Sequence, residues 1–69
     1  MYIEWENDFS ISVRCDGREV TLSANRDGLL SLAKHLTALA NEEPGEHIHY
    51  DEYNSLEDNS LDLIVERIE

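Results

Sequence analysis

The first third of the chain alternates. Phe9, Ile11, Val13 and Cys15 occupy every second position, with Ser10, Ser12 and Arg14 between them. A period of two sends the first set to one face of a β-strand and the second set to the other. Asp16-Gly17 follows at once. This pair signals a two-residue hairpin, because a type I′ turn needs positive φ at both central positions. Val20, Leu22 and Ala24 then alternate with Glu19, Thr21 and Ser23, which predicts the returning strand with the apolar set inward. Upstream, Ile3 and Trp5 alternate with Glu4 and Glu6, and Asn7-Asp8 reads as a turn. Residues 2–6 are therefore expected as a further, outer strand.

The period then lengthens to 3.6. Leu29, Leu32, Ala33, Leu36 and Ala40 share one helical face, with Leu30 and Leu39 on its flanks. Ser31, Lys34, His35, Ala38 and Asn41 lie opposite. Asn25 or Asp27 can cap the first turn, since either side-chain oxygen accepts an orphan backbone N–H. Gly28 costs a helix about 1 kcal/mol relative to alanine, and its expected use is close packing against the sheet. Glu42-Glu43-Pro44-Gly45 ends the helix, because Pro44 biases Glu43 away from the helical region and Gly45 permits a turn. Carboxylates at the negative end of a helix dipole are unfavourable, which hints that Glu42 and Glu43 serve another purpose.

Two more strands follow. Ile48 and Tyr50 alternate with His47, His49 and Asp51, and Leu61, Leu63 and Val65 alternate with Asp62, Ile64 and Glu66. Apolar Ile64 and Ile68 give the last strand a second apolar face, so it is expected at the centre of the sheet. The connection between the two is polar, and Ser55 with Asp58 three residues on has the form of a capping box, so one helical turn is expected there. The order is thus β-β-β-α-β-β. The one apolar surface available to the helix is a face of the sheet. The expected fold is a single α+β domain over residues 1–69, in two layers: an antiparallel sheet with one amphipathic helix packed on one face. The opposite sheet face, with Ser10, Ser12, Arg14, Glu19, Thr21, His47, His49 and Asp51, is polar and open.

Charge changes this picture from a fold to a kind of partner. Residues 1–40 carry six carboxylates against four cations, net −2, whereas residues 41–69 carry ten against Arg67 alone, net −9. A field of one sign gathered on one part of a small body repels nucleic acid and anionic membrane and attracts basic protein surfaces. No apolar run approaches the ~20 residues that span a bilayer, and the charged start Met1-Tyr2-Ile3-Glu4-Trp5-Glu6 does not have the form of a secretory leader. Cys15 is the single cysteine. It is expected inward, as a small hydrophobe in a reducing cytoplasm.

Candidate chemistry is sparse. His47, His49 and Asp51 fall on one side of a strand, a donor set that suits zinc. Successive same-side residues on a strand stand about 6.5–7 Å apart, however, which stretches three of them too far for a compact tetrahedron. The competing reading is a polar strand face with hydrogen-bonded histidines. Asp51 to Asp62 is not a calcium loop, because positions 3 and 6 are Tyr53 and Leu56 where Asp/Asn and Gly are needed. No nucleophile elbow or phosphate-binding glycine loop is present, and carboxylate pairs arise by chance in so acidic a chain. No catalytic residue and no cofactor is assigned. The segment Asp51-Glu52-Tyr53-Asn54-Ser55-Leu56-Glu57-Asp58 reads best as a recognition loop, with carboxylates to pair with Arg or Lys and an aromatic to supply contact area.

Two stretches carry a resemblance. They are the run Ala24-Asn25-Arg26-Asp27-Gly28-Leu29-Leu30-Ser31-Leu32-Ala33-Lys34-His35-Leu36-Thr37-Ala38-Leu39-Ala40 and the run His47-Ile48-His49-Tyr50-Asp51-Glu52-Tyr53-Asn54-Ser55-Leu56-Glu57. Together they resemble the immunity protein 32 family of bacterial polymorphic toxin systems, over most of the chain from the Asp16-Gly17 hairpin onward. The resemblance implies an α+β domain that neutralises a cognate toxin in the producing cell. By motif position, His47, His49, Asp51, Glu52, Asn54, Ser55 and Glu57 are the family-typical set.

The leading expectation is a cytoplasmic inhibitor that is not an enzyme and binds a basic protein toxin through its acidic half. A nuclease fits, because its substrate is anionic and its site cationic. The partner-binding residues are expected to be Glu42, Glu43, Glu46, Asp51, Glu52, Tyr53, Asn54, Glu57 and Asp58. Of these, Glu52, Tyr53, Glu57 and Asp58 anchor, while Glu42, Glu43 and Glu46 steer. One alternative is a metal-binding or regulatory domain using His47, His49 and Asp51. Another is a homodimerising accessory domain that pairs exposed sheet edges.

Overall fold

The computed structural model describes residues 1–69. Strand β1 (Ile11–Asp16) pairs antiparallel with β2 (Glu19–Ala24), helix α1 (Arg26–Ala40) follows, and β3 (His47–Tyr50) pairs antiparallel with β4 (Leu63–Glu66). The fold is a small α+β arrangement of two separate two-stranded sheets and one helix.

The first hairpin turns on Gly17 and Arg18. Asp16 pairs with Glu19, and Gly17 has φ +63°. Glycine at the first central position, with positive φ there alone, is the type II′ pattern, so the turn lies one residue later than the sequence suggested and differs in type. Directly opposite residues share a face, so Ile11, Val13 and Cys15 lie on the same side as Ala24, Leu22 and Val20. Ile11 and Val13 are buried there. Cys15 is exposed at the distal end, contrary to expectation, because the core stops short of the turn.

Asn25 caps α1, accepting from the Gly28 N–H at 2.7 Å. Gly28 is buried against the hairpin, where a Cβ would stand 2.6 Å from the Ser10 carbonyl oxygen and 2.9 Å from Ile11 Cγ1. The helix ends at Ala40 with Asn41 as C-cap, and the chain turns through Gly45 at φ +97°.

The helix is rotated from its expected setting. Its buried residues are Gly28, Ser31, His35 and Leu39, while Leu29 and Leu36 are 55% and 49% exposed. The cause is the N-terminal segment, which is not a strand. Residues 3–6 form a strap along α1. The Glu6 N–H donates to Ser31 Oγ at 2.8 Å, His35 Nε2 bonds the Glu4 carbonyl at 2.6 Å, and Lys34 Nζ pairs with Glu6 Oε1 at 2.8 Å. Trp5 stacks on Phe9 with ring centroids 4.3 Å apart and meets His35 edge-on at 4.4 Å. Burying this large aromatic surface outweighs covering the leucine stripe, and every buried polar side-chain atom finds a partner.

The core comprises Ile11, Val13, Leu39, Ile48, Tyr50 and Leu56, with Ile3, Trp5, Phe9, Ala24, Leu32, Leu63 and Val65 packed against it. Strand β4 is not central. The position beside β1 that a further strand would take is filled by the segment before β4: the Glu57 N–H bonds the Ile11 carbonyl and the Leu61 N–H the Val13 carbonyl, each at 2.9 Å. With those partners supplied, the two sheets stay separate, and Ile64 and Ile68 remain exposed.

Candidate functional site

The connection between β3 and β4 is held by its own side chains. Asp51 Oδ1 accepts from the N–H groups of Tyr53 at 2.9 Å and Asn54 at 3.0 Å, the local turn that aspartate favours. The Asp51 carbonyl accepts from the Ser55 and Leu56 N–H groups. Asn54 works in the reverse direction: its Oδ1 accepts from the Asp51 N–H at 3.2 Å and from the Ser55 hydroxyl, and its Nδ2 donates to the His49 carbonyl at 3.1 Å. The segment forms turns rather than the short helix anticipated from Ser55 and Asp58. Asn59, at φ +69°, donates its N–H to Glu52 Oε2 at 3.2 Å.

The far side of the loop is stitched to the first hairpin. Leu56 enters the core, the buried Ser60 hydroxyl accepts from the Val13 N–H at 3.2 Å, and Glu57 Oε1 accepts from Ser10 Oγ at 2.8 Å. The result is a loop bonded both within itself and to β1, with Tyr53 fully exposed.

The carboxylates around this loop are unneutralised. The ion pairs of the molecule are Arg26–Asp27, Lys34–Glu4 and Lys34–Glu6, all within the first 40 residues. None of the ten acidic side chains of residues 41–69 meets a cationic side chain. Arg67, the lone cation of that half, turns its guanidinium to backbone carbonyls of Glu42 and Glu69.

These acids fall at the two ends of the β3–β4 hairpin. At one end, the Gly45 N–H bonds the Arg67 carbonyl at 2.7 Å and the Arg67 N–H bonds the Glu46 carbonyl at 3.0 Å, which sets Glu43 and Glu46 beside Glu66 and Glu69. At the other end lie Glu52, Glu57, Asp58 and Asp62. Four rises from Asp62 to Glu66 and six from Glu46 to Glu52 set the two groups about 13–20 Å apart, at ~3.3 Å per residue. Between them, on the solvent face, His47 stands opposite Glu66 and His49 opposite Ile64.

Of the sequence-derived candidates, Glu43, Glu46, Glu52, Tyr53, Asn54, Glu57 and Asp58 are exposed, while Glu42 and Asp51 are half-buried. Asp51 and Asn54 have their polar atoms engaged within the loop. The rings of His47 and His49 meet edge-on at 5.3 Å, but Asp51 turns away from them into its own backbone bonds, so the three are not gathered as a ligand set. Sequence reasoning missed Ser60, whose bond to β1 spans 47 residues and has no local signature. It also missed the surface position of Ile64, whose apolarity pointed to a second buried face. A groove of about 520 Å³ lies elsewhere, between the strap and α1, lined by Tyr2, Glu4, Ala33, Lys34, Thr37 and Ala38.

A sequence model of the family described as immunity protein 32 matches residues 19–68, from the start of β2 through the tail of β4, and the chain belongs to that family. No curated protein and no solved structure matches it.

Proposed function

We propose that this member of the immunity protein 32 family neutralises a cognate toxin by binding it through the 51–58 loop and the adjoining face of β3 and β4. One observation carries the reading: a fully exposed tyrosine stands on an internally bonded loop whose neighbouring acids, Glu52, Glu57, Asp58 and Asp62, have no cationic side-chain partner. Tyr53 offers a large contact area for two torsions, and a loop already held in place loses little entropy on binding. Glu52 and Asp58 flank it as acceptors for Arg or Lys, with Glu57 beside them and Glu43 and Glu46 contributing to the long-range field. Asp51 and Asn54 support this surface from within. The target is a basic protein, and a nuclease suits the charge because its site must attract an anionic substrate. Association is then fast and salt-dependent, and the same field disfavours nucleic acid and anionic lipid as partners.

The test is co-expression with the toxin encoded beside its gene, reading growth rescue, together with affinity measured on the purified pair. The triple variant Glu52→Lys, Tyr53→Ala, Asp58→Lys is expected to lose about 100-fold or more in affinity, the scale of one or two interface hot spots. Its far-UV dichroism should match that of the parent. Unchanged affinity and undiminished protection in a folded triple variant would overturn this placement.

A further inference from the structure

The outer edge of β2 is the part of the molecule that neither the core nor the acidic loop uses. β1 is closed on both sides, by β2 on one and by the Glu57, Ser60 and Leu61 bonds on the other. β2 receives no backbone hydrogen bond from outside its hairpin. Glu19, Val20, Thr21 and Leu22 are all exposed, Val20 at 65%. An unpaired strand edge is a template for another strand, and natural edges are blunted by shortness, proline, lysine or a bulge. β3 and β4 are short, at four residues each. β2 has six residues in unbroken register with β1, without proline or lysine.

We propose that β2 pairs antiparallel with β2 of a second copy of this chain, joining two hairpins into one four-stranded sheet. Charge selects this edge for self-association. Within Arg18–Arg26 the two arginines outnumber Glu19, net +1, whereas Asp62–Glu69 around β4 sets three carboxylates against Arg67, net −2. On a chain of net charge −11, two copies meet at β2 without setting carboxylate against carboxylate. A two-fold axis at Thr21 puts Val20 of each copy opposite Leu22 of the other, on the hairpin face that carries Ile11 and Val13. It sets Glu19 opposite Ser23 and Arg18 opposite Ala24, so no like charges face each other. Two-stranded ribbons are marginal alone, and pairing doubles the sheet. The strand order becomes 57–61 segment, β1, β2, β2, β1, 57–61 segment. Five spacings of ~4.8 Å then separate the two segments by about 24 Å. Both recognition loops stay free, one at each end of the sheet.

Sedimentation velocity from about 1 to 500 µM, a range that spans weak to moderate self-affinity, is expected to show a monomer–dimer equilibrium. Val20→Lys places a charge on the edge without disturbing the core, and is expected to weaken dimerisation about tenfold or more, with unchanged far-UV dichroism. A second measurement does not rely on disruption. In a Cys15→Ser background, Thr21→Cys is expected to oxidise to a covalent dimer, since opposed residues at a two-fold stand about 4.5–5.5 Å apart at Cα, within disulfide range. Ser12→Cys on the enclosed β1 is expected to stay monomeric. A monomer at every concentration would overturn the proposal. So would a dimer that ignores Val20→Lys and leaves Thr21→Cys unlinked. A monomer whose Val20→Lys variant loses toxin protection would assign the edge to a toxin strand instead.

Discussion

At the scale of single residues, His35 connects three elements. A carbonyl only accepts, so Nε2 must carry the proton donated to Glu4, and Nδ1 is left to accept from the Tyr50 hydroxyl at 2.8 Å. The neutral ring is therefore the form the site is built for. Burial holds its pKa below the ordinary histidine value, against a smaller opposing effect of the Glu4 carbonyl, and burial also pushes the Tyr50 phenol up to about 12. The unfolded chain takes up a proton at His35 below about pH 6.5, where the folded chain resists it. This contribution to stability is complete above that pH and is lost as pH falls through it. The urea midpoint is expected to drop between about pH 7 and 5.5, and His35→Leu, itself less stable, should give a flatter profile in that window. Gly28 makes a second residue-scale case. Alanine is the better helix former, yet its Cβ would meet the Ser10 carbonyl oxygen at 2.6 Å. Gly28→Ala is expected to destabilise by about 1–3 kcal/mol, as overpacking against backbone does, measured by urea denaturation.

At the scale of elements, the 51–62 connection behaves as a structured part without regular secondary structure. Its backbone hydrogen bonds are met by Asp51, Asn54, Glu52 and β1, so its rigidity depends on a few side chains. Asp51→Ala leaves the Tyr53 and Asn54 N–H groups without their shared acceptor. The expected cost is about 1–2 kcal/mol, as for a lost cap or charged acceptor. The loss should be local: faster amide exchange at Tyr53 and Asn54, and new proteolytic cleavage within residues 52–59, with little change in β1–β2. Uniform exchange across the chain would contradict that local role. The polar residues of the loop divide accordingly. Asp51, Asn54 and Ser55 build it through their side-chain hydrogen bonds, and Glu52 and Tyr53 are exposed on it.

At the scale of the whole molecule, the distribution of ion pairs matters more than the net charge. All three lie in residues 1–40, and the other half carries its carboxylates unscreened by side chains. Exposed charges within about 10 Å repel until salt shortens the Debye length. The melting temperature is therefore expected to rise as sodium chloride increases from about 10 to 150 mM, which differential scanning fluorimetry can follow. Charge-reversing Glu43→Lys and Glu46→Lys together should reduce that salt dependence. A salt-independent melting temperature would show that the acidic groups are too dispersed to act as one field.

The β1–β2 hairpin, the strands at β3 and β4, the helix with Asn25 as one of its two cap candidates and the acidic second half were legible in the chain, because each depends on neighbours close in sequence; Gly28 stood out only by its cost to a helix, and its seat against Ser10 and Ile11 is a tertiary contact. The rotation of α1 was not legible. Periodicity ranks faces by apolarity, but Ser31 and His35 are buried because a strap some 25 to 31 residues away supplies their polar partners. The place of β4 was hidden for a similar reason, since the edge of β1 was taken by Glu57 and Leu61, which no pattern of alternation marks. Sequence alone thus determined the four paired strands, the helix with its cap and the concentration of negative charge in the second half. Tertiary structure decided which helix face is covered, which strand edge stays open and which loop residues are exposed, because those outcomes rest on hydrogen bonds and aromatic contacts between segments distant in the chain.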